Sequence, residues 1–142
     1  MHRFACTLLV DRRGWLLLQE RDEHPVIDPE KWGLVGGHVE DGEEFEPAAY
    51  RELEEETGLD LAPGTLRLFR ELEVWHEAYG TLDATQIWYA GADLTDSDIV
   101  VGEGRQIVFV EPSRARDLPL TASATRIVPE FLDSAEYREL LG

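Results

Sequence analysis

Residues 37–59 read GHVEDGEEFEPAAYRELEEETGL, and the fold turns on this stretch. Its second half has the marks of a helix over Pro47 to Thr57. Pro47 suits a first turn, where a missing N–H costs nothing, and Gly58 suits a left-handed C-terminal cap. At about 100° per residue, Glu52, Glu55 and Glu56 fall within a face about 100° wide. Ala49 and Leu53, four apart, form a separate apolar edge that can face a core. Three carboxylates at such spacing repel one another and weaken a helix. A hard divalent cation reverses the penalty, since Mg²⁺ and Mn²⁺ prefer carboxylate oxygens. A solvated acidic face is the ordinary fate of a Glu-rich helix, so the helix alone decides nothing.

The residues upstream change that. Gly37 is followed after five residues by Glu43, and after seven more by Arg51-Glu52-Leu53, one residue, Glu55-Glu56, one residue, Gly58-Leu59. This resembles the Nudix box at every defined position. Seven of those positions demand a single residue type of background frequency roughly 0.07, so a chance match at a given start is on the order of one in 10⁸. The resemblance implies an α/β/α sandwich, with the box forming loop, helix and loop beside a mixed β-sheet. It implies that Glu52, Glu55 and Glu56 hold Mg²⁺ or Mn²⁺, helped by the carbonyl of Gly37. Arg51 and Glu43 match the pair that braces the loop and orients those carboxylates. The implied reaction is attack of water on a phosphorus of a nucleoside diphosphate linked to another group, with a glutamate of the box or of a later loop as base.

Working outward, Phe4 to Val10 is apolar on both faces, as in a central strand, and Trp15 to Glu20 returns as its hairpin partner. A loop with Pro25 and Pro29 leads to the short run Trp32 to Val35, which Gly36-Gly37 interrupts. Leu66, Leu68, Leu72 and Val74 alternate with polar residues; Asp83 to Ala90 and Gln106 to Val110 are further strands. Thr121 can cap a helix towards Leu132 that Pro129 would bend or end, and Ser134 to Leu141 suits a last turn or two. Strands, helix, strands and helix in this order predict an α+β fold in one domain over residues 1–142.

Composition bounds the partners. The net charge is -17, from 30 acidic against 13 basic side chains, which opposes binding to nucleic acid or to anionic membranes. No apolar run approaches the roughly 18 residues of a membrane span, and no secretory signal is evident, so a cytoplasmic location is expected. The one cysteine, Cys6, excludes an internal disulfide and reads as a small core residue. So acidic a chain cannot hold a polyanionic diphosphate by side-chain charge alone. Bridging divalent ions answer that need by neutralising charge and acidifying the attacking water.

Around the box, Gly36 and Gly37 would let the backbone turn sharply and approach the phosphates. His38 adjoins them and can meet phosphate or solvent. Glu103, between Gly102 and Gly104, matches a late-loop glutamate that serves in some similar enzymes as base or extra ligand; Arg105 beside it can touch phosphate. Arg21 lies where related chains carry a basic substrate contact. Trp32, Trp75, Trp88 and Tyr89 are candidates to stack on a base. Val35 stands where many relatives have proline, and no proline lies between Pro63 and Pro112, so the signature of ADP-ribose hydrolases is absent.

The expectation is a Nudix pyrophosphohydrolase, monomer or homodimer, acting on a nucleoside triphosphate or related nucleotide, including an oxidised one such as 8-oxo-dGTP. Glu52, Glu55, Arg51 and Glu103 are its catalytic candidates; Arg21, Gly36, Gly37, His38 and Arg105 are its substrate contacts. A nucleotide-sugar pyrophosphatase is the second enzyme reading. A non-catalytic nucleotide sensor is the alternative of another class; the complete set of box glutamates opposes it.

Overall fold

The structure, a computed structural model, describes residues 1–142. Seven strands form one mixed sheet: β1 (Arg3–Val10), β2 (Leu16–Glu20), β3 (Trp32–Gly33), β4 (Val35–His38), β5 (Arg67–His76), β6 (Thr81–Gly91) and β7 (Gln106–Val110). β1 is central, as its two-sided apolar run predicts. It runs parallel to β6 along its whole length and antiparallel to β2 and β4 on its other side. β2 meets β1 only at the Val10–Leu16 pair. Towards Phe4 its place beside β1 is taken by β4, with Phe4 opposite His38 and Cys6 opposite Gly36. β2 pairs instead with β7 and β3. The sheet thus divides into two arms at one end.

Helices cover both faces, giving the expected α/β/α sandwich. On one face α1 (Phe45–Thr57) sets Ala48, Ala49 and Leu53 against Ala5, Leu9, Leu17, Ile107 and Phe109. On the other, α2 (Pro112–Asp117), α3 (Ala122–Leu132) and α4 (Ala135–Leu141) close over Leu8, Leu16, Leu18, Ile87 and Tyr89. Phe131 of α3 is fully buried there among Phe69, Tyr89 and Tyr137, and its truncation to alanine would cost about 3–5 kcal/mol.

The chain departs from its sequence pattern in four places. α1 starts at Phe45, two residues early, with Glu44 as an N-cap that makes no side-chain bond; Pro47 still falls in the first turn, and Gly58 caps the end at φ 76°. Gly36 and Gly37 do not break the run but form the middle of β4, and neither has positive φ. A Cβ at Gly36 would stand 2.7 Å from the Cys6 Cα, so glycine is needed there for close strand approach, not for a turn. Pro129 does not end α3, which continues to Leu132 because Val128, Phe131 and Leu132 are buried on either side of it. The six-residue α2, opened by Pro112, is too short to show periodicity.

Candidate active site

The two arms of the sheet, the end of α1 and the loops at 22–28 and 102–104 enclose one cleft of about 800 Å³, a volume usual for small-ligand sites. α1 delivers the box glutamates to its wall. Glu52 and Glu56 are buried, at 9% and 7% exposure, whereas the Glu55 side chain is more than half exposed. Gly37 makes this placement possible: a Cβ there would lie 2.5 Å from Glu52 Oε2.

Arg51 organises the acidic face. Its Nε and Nη2 donate to the two oxygens of Glu43, each at 2.8 Å, and Nη2 also donates to the His38 carbonyl at 2.9 Å. Nη1 donates to Glu52 Oε1 at 3.0 Å and to Glu55 Oε1 at 3.2 Å. The Arg51 bond, joined by the Glu40 N–H, holds the Glu43 carboxyl down to about 2. Glu43 is therefore a permanent anion that fixes a permanent cation.

The carboxylates behind this brace are less settled. Burial raises Glu52, with Arg51 opposing. Burial and the charge of Glu103 push Glu56 up to about 7 against a hydrogen bond from Gln19. Both shifts come chiefly from burial of the carboxyls, and a divalent cation held through hard oxygen donors would oppose them. No three His, Cys, Asp or Glu side chains are drawn together into a closed coordination sphere. The donor set of Glu52, Glu55, Glu56 and the Gly37 carbonyl fits Mg²⁺ or Mn²⁺ in chemistry, as an open site whose side chains must draw inward.

The late loop is fastened to α1. Gly102 N–H donates to the Glu56 carbonyl at 2.8 Å, and Val100 N–H donates to the Thr57 carbonyl at 2.9 Å. A Cβ at Gly102 would collide with the Glu55 carbonyl, so only glycine permits this docking. Glu103 consequently lines the same cleft as Glu52, Glu55 and Glu56. Gln19 of β2 completes the tie: Nε2 donates to Glu56 Oε2 at 3.1 Å and to the Glu103 carbonyl at 3.0 Å.

Of the other residues singled out in the sequence, Arg21, Gly36, Gly37 and His38 all line the cleft. The Arg21 Nε is buried without a hydrogen-bond partner. Burial and the neighbouring His2 lower His38 below the ordinary imidazole value. Arg105 does not line the cleft; its guanidinium reaches Glu23 and Glu30, each at 3.2 Å, and donates to the Arg21 carbonyl. None of the four aromatic candidates lines it either: Trp32 and Tyr89 are core, Trp88 packs towards α1, and Trp75 is exposed. Cys6 lies on the floor with its thiol pushed up to about 12 by burial, so it is inert.

The aromatic lining comes instead from Phe4, His38, His76 and Tyr79. The sequence reading missed Gln19, whose signal is a polar residue that ends the run Leu16-Leu17-Leu18. His76 and the buried Asp83 carried none, because only the hairpin between β5 and β6 joins them.

Known proteins resemble the chain along most of its length. The family model described as "NUDIX domain" matches residues 1–131. Dihydroneopterin triphosphate diphosphatase of Escherichia coli K12 is 31% identical over 128 residues, covering 82% of this chain and 77% of that protein. A putative 8-oxo-dGTP diphosphatase of Bacillus subtilis is 31% identical over 120 residues, covering 80% and 75%. The crystal structure of a MutT protein from Methanosarcina mazei superposes with a TM-score of 0.77 over 93% of this chain and 92% of that one; at 22% identity it attests the fold alone. With the full box, the sandwich and these relatives in agreement, the chain belongs to the Nudix family of hydrolases acting on acid anhydrides.

Proposed function

We propose that this enzyme hydrolyses a phosphoanhydride bond of a nucleoside triphosphate or closely related nucleotide, oxidised forms such as 8-oxo-dGTP included, with Mg²⁺ or Mn²⁺ as cofactor. The observation that carries the reading is the meeting of Glu52, Glu55, Glu56 and Glu103 on one wall of a nucleotide-sized cleft, braced by Arg51. The two relatives at 31% identity are named for triphosphates that share a fused oxo-heterocycle, which favours a triphosphate over a nucleotide sugar. No helix is long and apolar enough to cross a membrane.

In this reading Glu52, Glu55, Glu56 and the Gly37 carbonyl hold the cofactor. When bound, it neutralises the phosphates and acidifies the attacking water. The protein supplies the rest. Arg51 aims Glu52 and Glu55 through its Nη1 bonds. Arg21, which lines the cleft, meets a phosphate oxygen of the substrate. Glu103, held by Gln19 and by the docked loop, takes the proton of the water as the new P–O bond forms. A P–O bond of the bridge between the α- and β-phosphorus then breaks, releasing a nucleoside monophosphate and pyrophosphate from a triphosphate.

The test is turnover with Mg²⁺, with and without EDTA, across canonical and oxidised triphosphates, nucleotide sugars, ADP-ribose, dinucleotides and coenzyme A. One triphosphate hydrolysed well ahead of the others, with activity lost in EDTA, is the expected result. Preference for a nucleotide sugar would replace the substrate reading. Metal-dependent nucleotide binding without turnover of any compound would replace the enzyme by a sensor.

A further inference from the structure

Away from the glutamates, the cleft reaches a wall built on the β5–β6 hairpin and the start of β1. His2 stacks on Tyr79 with ring centroids 3.9 Å apart, His38 packs on Phe4 at 4.4 Å, and His76 stands edge-on to Phe4 at 5.1 Å. Three of the four histidines of the chain are gathered here. One of them is held differently from the others.

His76 Nδ1 lies 2.7 Å from Oδ2 of Asp83, which is wholly buried. Burial alone would raise the Asp83 carboxyl. Bonds from the His2 N–H at 2.8 Å, from His76 and from the Thr81 hydroxyl at 2.7 Å outweigh it and bring Asp83 down to about 2. Asp83 is therefore an acceptor only, and Nδ1 must carry the proton that joins them. In the neutral ring this leaves the lone pair on Nε2. Nε2 makes no hydrogen bond within the protein, and His76 lines the cleft. The bonds that fix Asp83 are all made inside the protein, while the His76 ring borders the cleft.

The surroundings suit a flat heterocycle. Phe4 and Tyr79 belong to the same lining, Val26 and Ile27 add apolar surface from the 22–28 loop, and Thr85 contributes a hydroxyl that is buried with no partner. Phe4 is paired with His38 on one side and Thr85 on the other, so the aromatic ring lies between the two polar edges.

We propose that this wall is the base subsite of the cleft, in which His76 Nε2 accepts a hydrogen bond from a ring or exocyclic N–H of the substrate's heterocycle, with Asp83 fixing the tautomer. The assignment rests on the nucleotide reading above. It makes His76 a specificity-determining residue and Asp83 a positioning residue. A base offering a donor at this point is accepted; one offering only acceptors leaves Nε2 facing a lone pair and binds at least about tenfold more weakly.

The experiment is ¹⁵N NMR of the histidine rings in the metal-free full chain, titrated with dGMP and, separately, with deoxyribose phosphate, which lacks the base. His76 is expected in the Nδ1–H form before addition. dGMP moves its Nε2 resonance and deoxyribose phosphate does not. In Asp83→Asn the ring loses its fixed tautomer, and in His76→Phe the affinity for dGMP falls at least about tenfold while that for the sugar phosphate is unchanged. An Nε2–H tautomer in the free protein, an Nε2 resonance unmoved by dGMP, or equal responses to both ligands would overturn the assignment. Because the readout needs no turnover, an inactive protein with the expected shifts would sink the hydrolase reading and keep the subsite. An active one with an unmoved Nε2 would do the reverse.

Discussion

Gly37 and the Glu52 carboxylate are packed so closely that a Cβ on the first would lie 2.5 Å from an oxygen of the second. The glycine is thus a packing requirement imposed by α1 on β4. Gly37→Ala should displace the Glu52 carboxylate from the cleft wall and from its 3.0 Å bond to Arg51. The expected result is a loss of roughly 10- to 100-fold in Mn²⁺ affinity and turnover, with the circular dichroism spectrum unchanged. Wild-type Mn²⁺ affinity in this variant would show that Glu52 is not a ligand.

The contrast between Gly37 and Gln19 shows what the sequence made legible. The box carries its own spacing, so Glu52, Glu55 and Glu56 could be placed on one face before any fold was known. The sandwich followed from the apolar run of β1 and the strand pattern around it. The reason for Gly36-Gly37 did not follow, because close approach of β4 to β1 and α1 is a tertiary fact, whereas a glycine pair reads locally as a turn. The clamp from Gln19 to Glu56 likewise joins elements far apart in the chain, and the His76–Asp83 pair meets only once the β5–β6 hairpin has set its register. Arg105 illustrates the converse: adjacent to Glu103 in sequence, it turns to the 21–30 loop because Glu23 and Glu30 await it there.

Gln19 hydrogen-bonds both the last box glutamate and the late loop. Gln19→Leu keeps most of the volume and removes both bonds, one of them to a carboxylate. A loss of about 2 kcal/mol in stability is expected, the usual scale for a bond to a charged group. Hydrogen exchange should quicken at residues 101–104, and turnover should fall about tenfold as Glu103 loses its position. Unchanged exchange in that loop would mean that Gly102 and Val100 hold it unaided.

The pH dependence of stability has a sign fixed by the shifts. Glu56 is pushed up to about 7 from an ordinary 4.5, chiefly by burial. The folded protein therefore binds a proton more readily between these values. The stability that this brings is complete below about 4.5 and disappears as pH rises through 7, at most about 3 kcal/mol. Asp83 and Glu43, both held near 2, act oppositely: their contribution is present above about 4.5 and is lost as pH falls towards 2. The metal-free protein should be most stable near pH 5, with a melting temperature that declines towards pH 8. Mg²⁺ should raise the melting temperature more at pH 8 than at pH 5, since it takes the place of the proton. A metal-free melting temperature that rises from pH 5 to 8 would show Glu56 to be ionised throughout.

Arg51 spends all five of its N–H groups: two on Glu43, and one each on the His38 carbonyl, Glu52 and Glu55. Lysine has the charge but only three donors and no planar fork, so Arg51→Lys is not a conservative change here. It should keep the fold while lowering turnover roughly 10- to 100-fold, through loss of aim at Glu52 and Glu55. Glu43→Gln leaves the guanidinium in place but removes the anion that anchors it, and a similar loss is expected. The two residues act as one brace, so the double variant should be little worse than either single variant, and the cycle strongly non-additive. Metal affinity separates the brace from a direct catalytic role. If Arg51 acts only by orienting the carboxylates, turnover and Mn²⁺ affinity fall together in all three variants. If turnover falls while Mn²⁺ affinity is preserved, Arg51 acts on the substrate itself, and its assignment as a positioning residue is wrong.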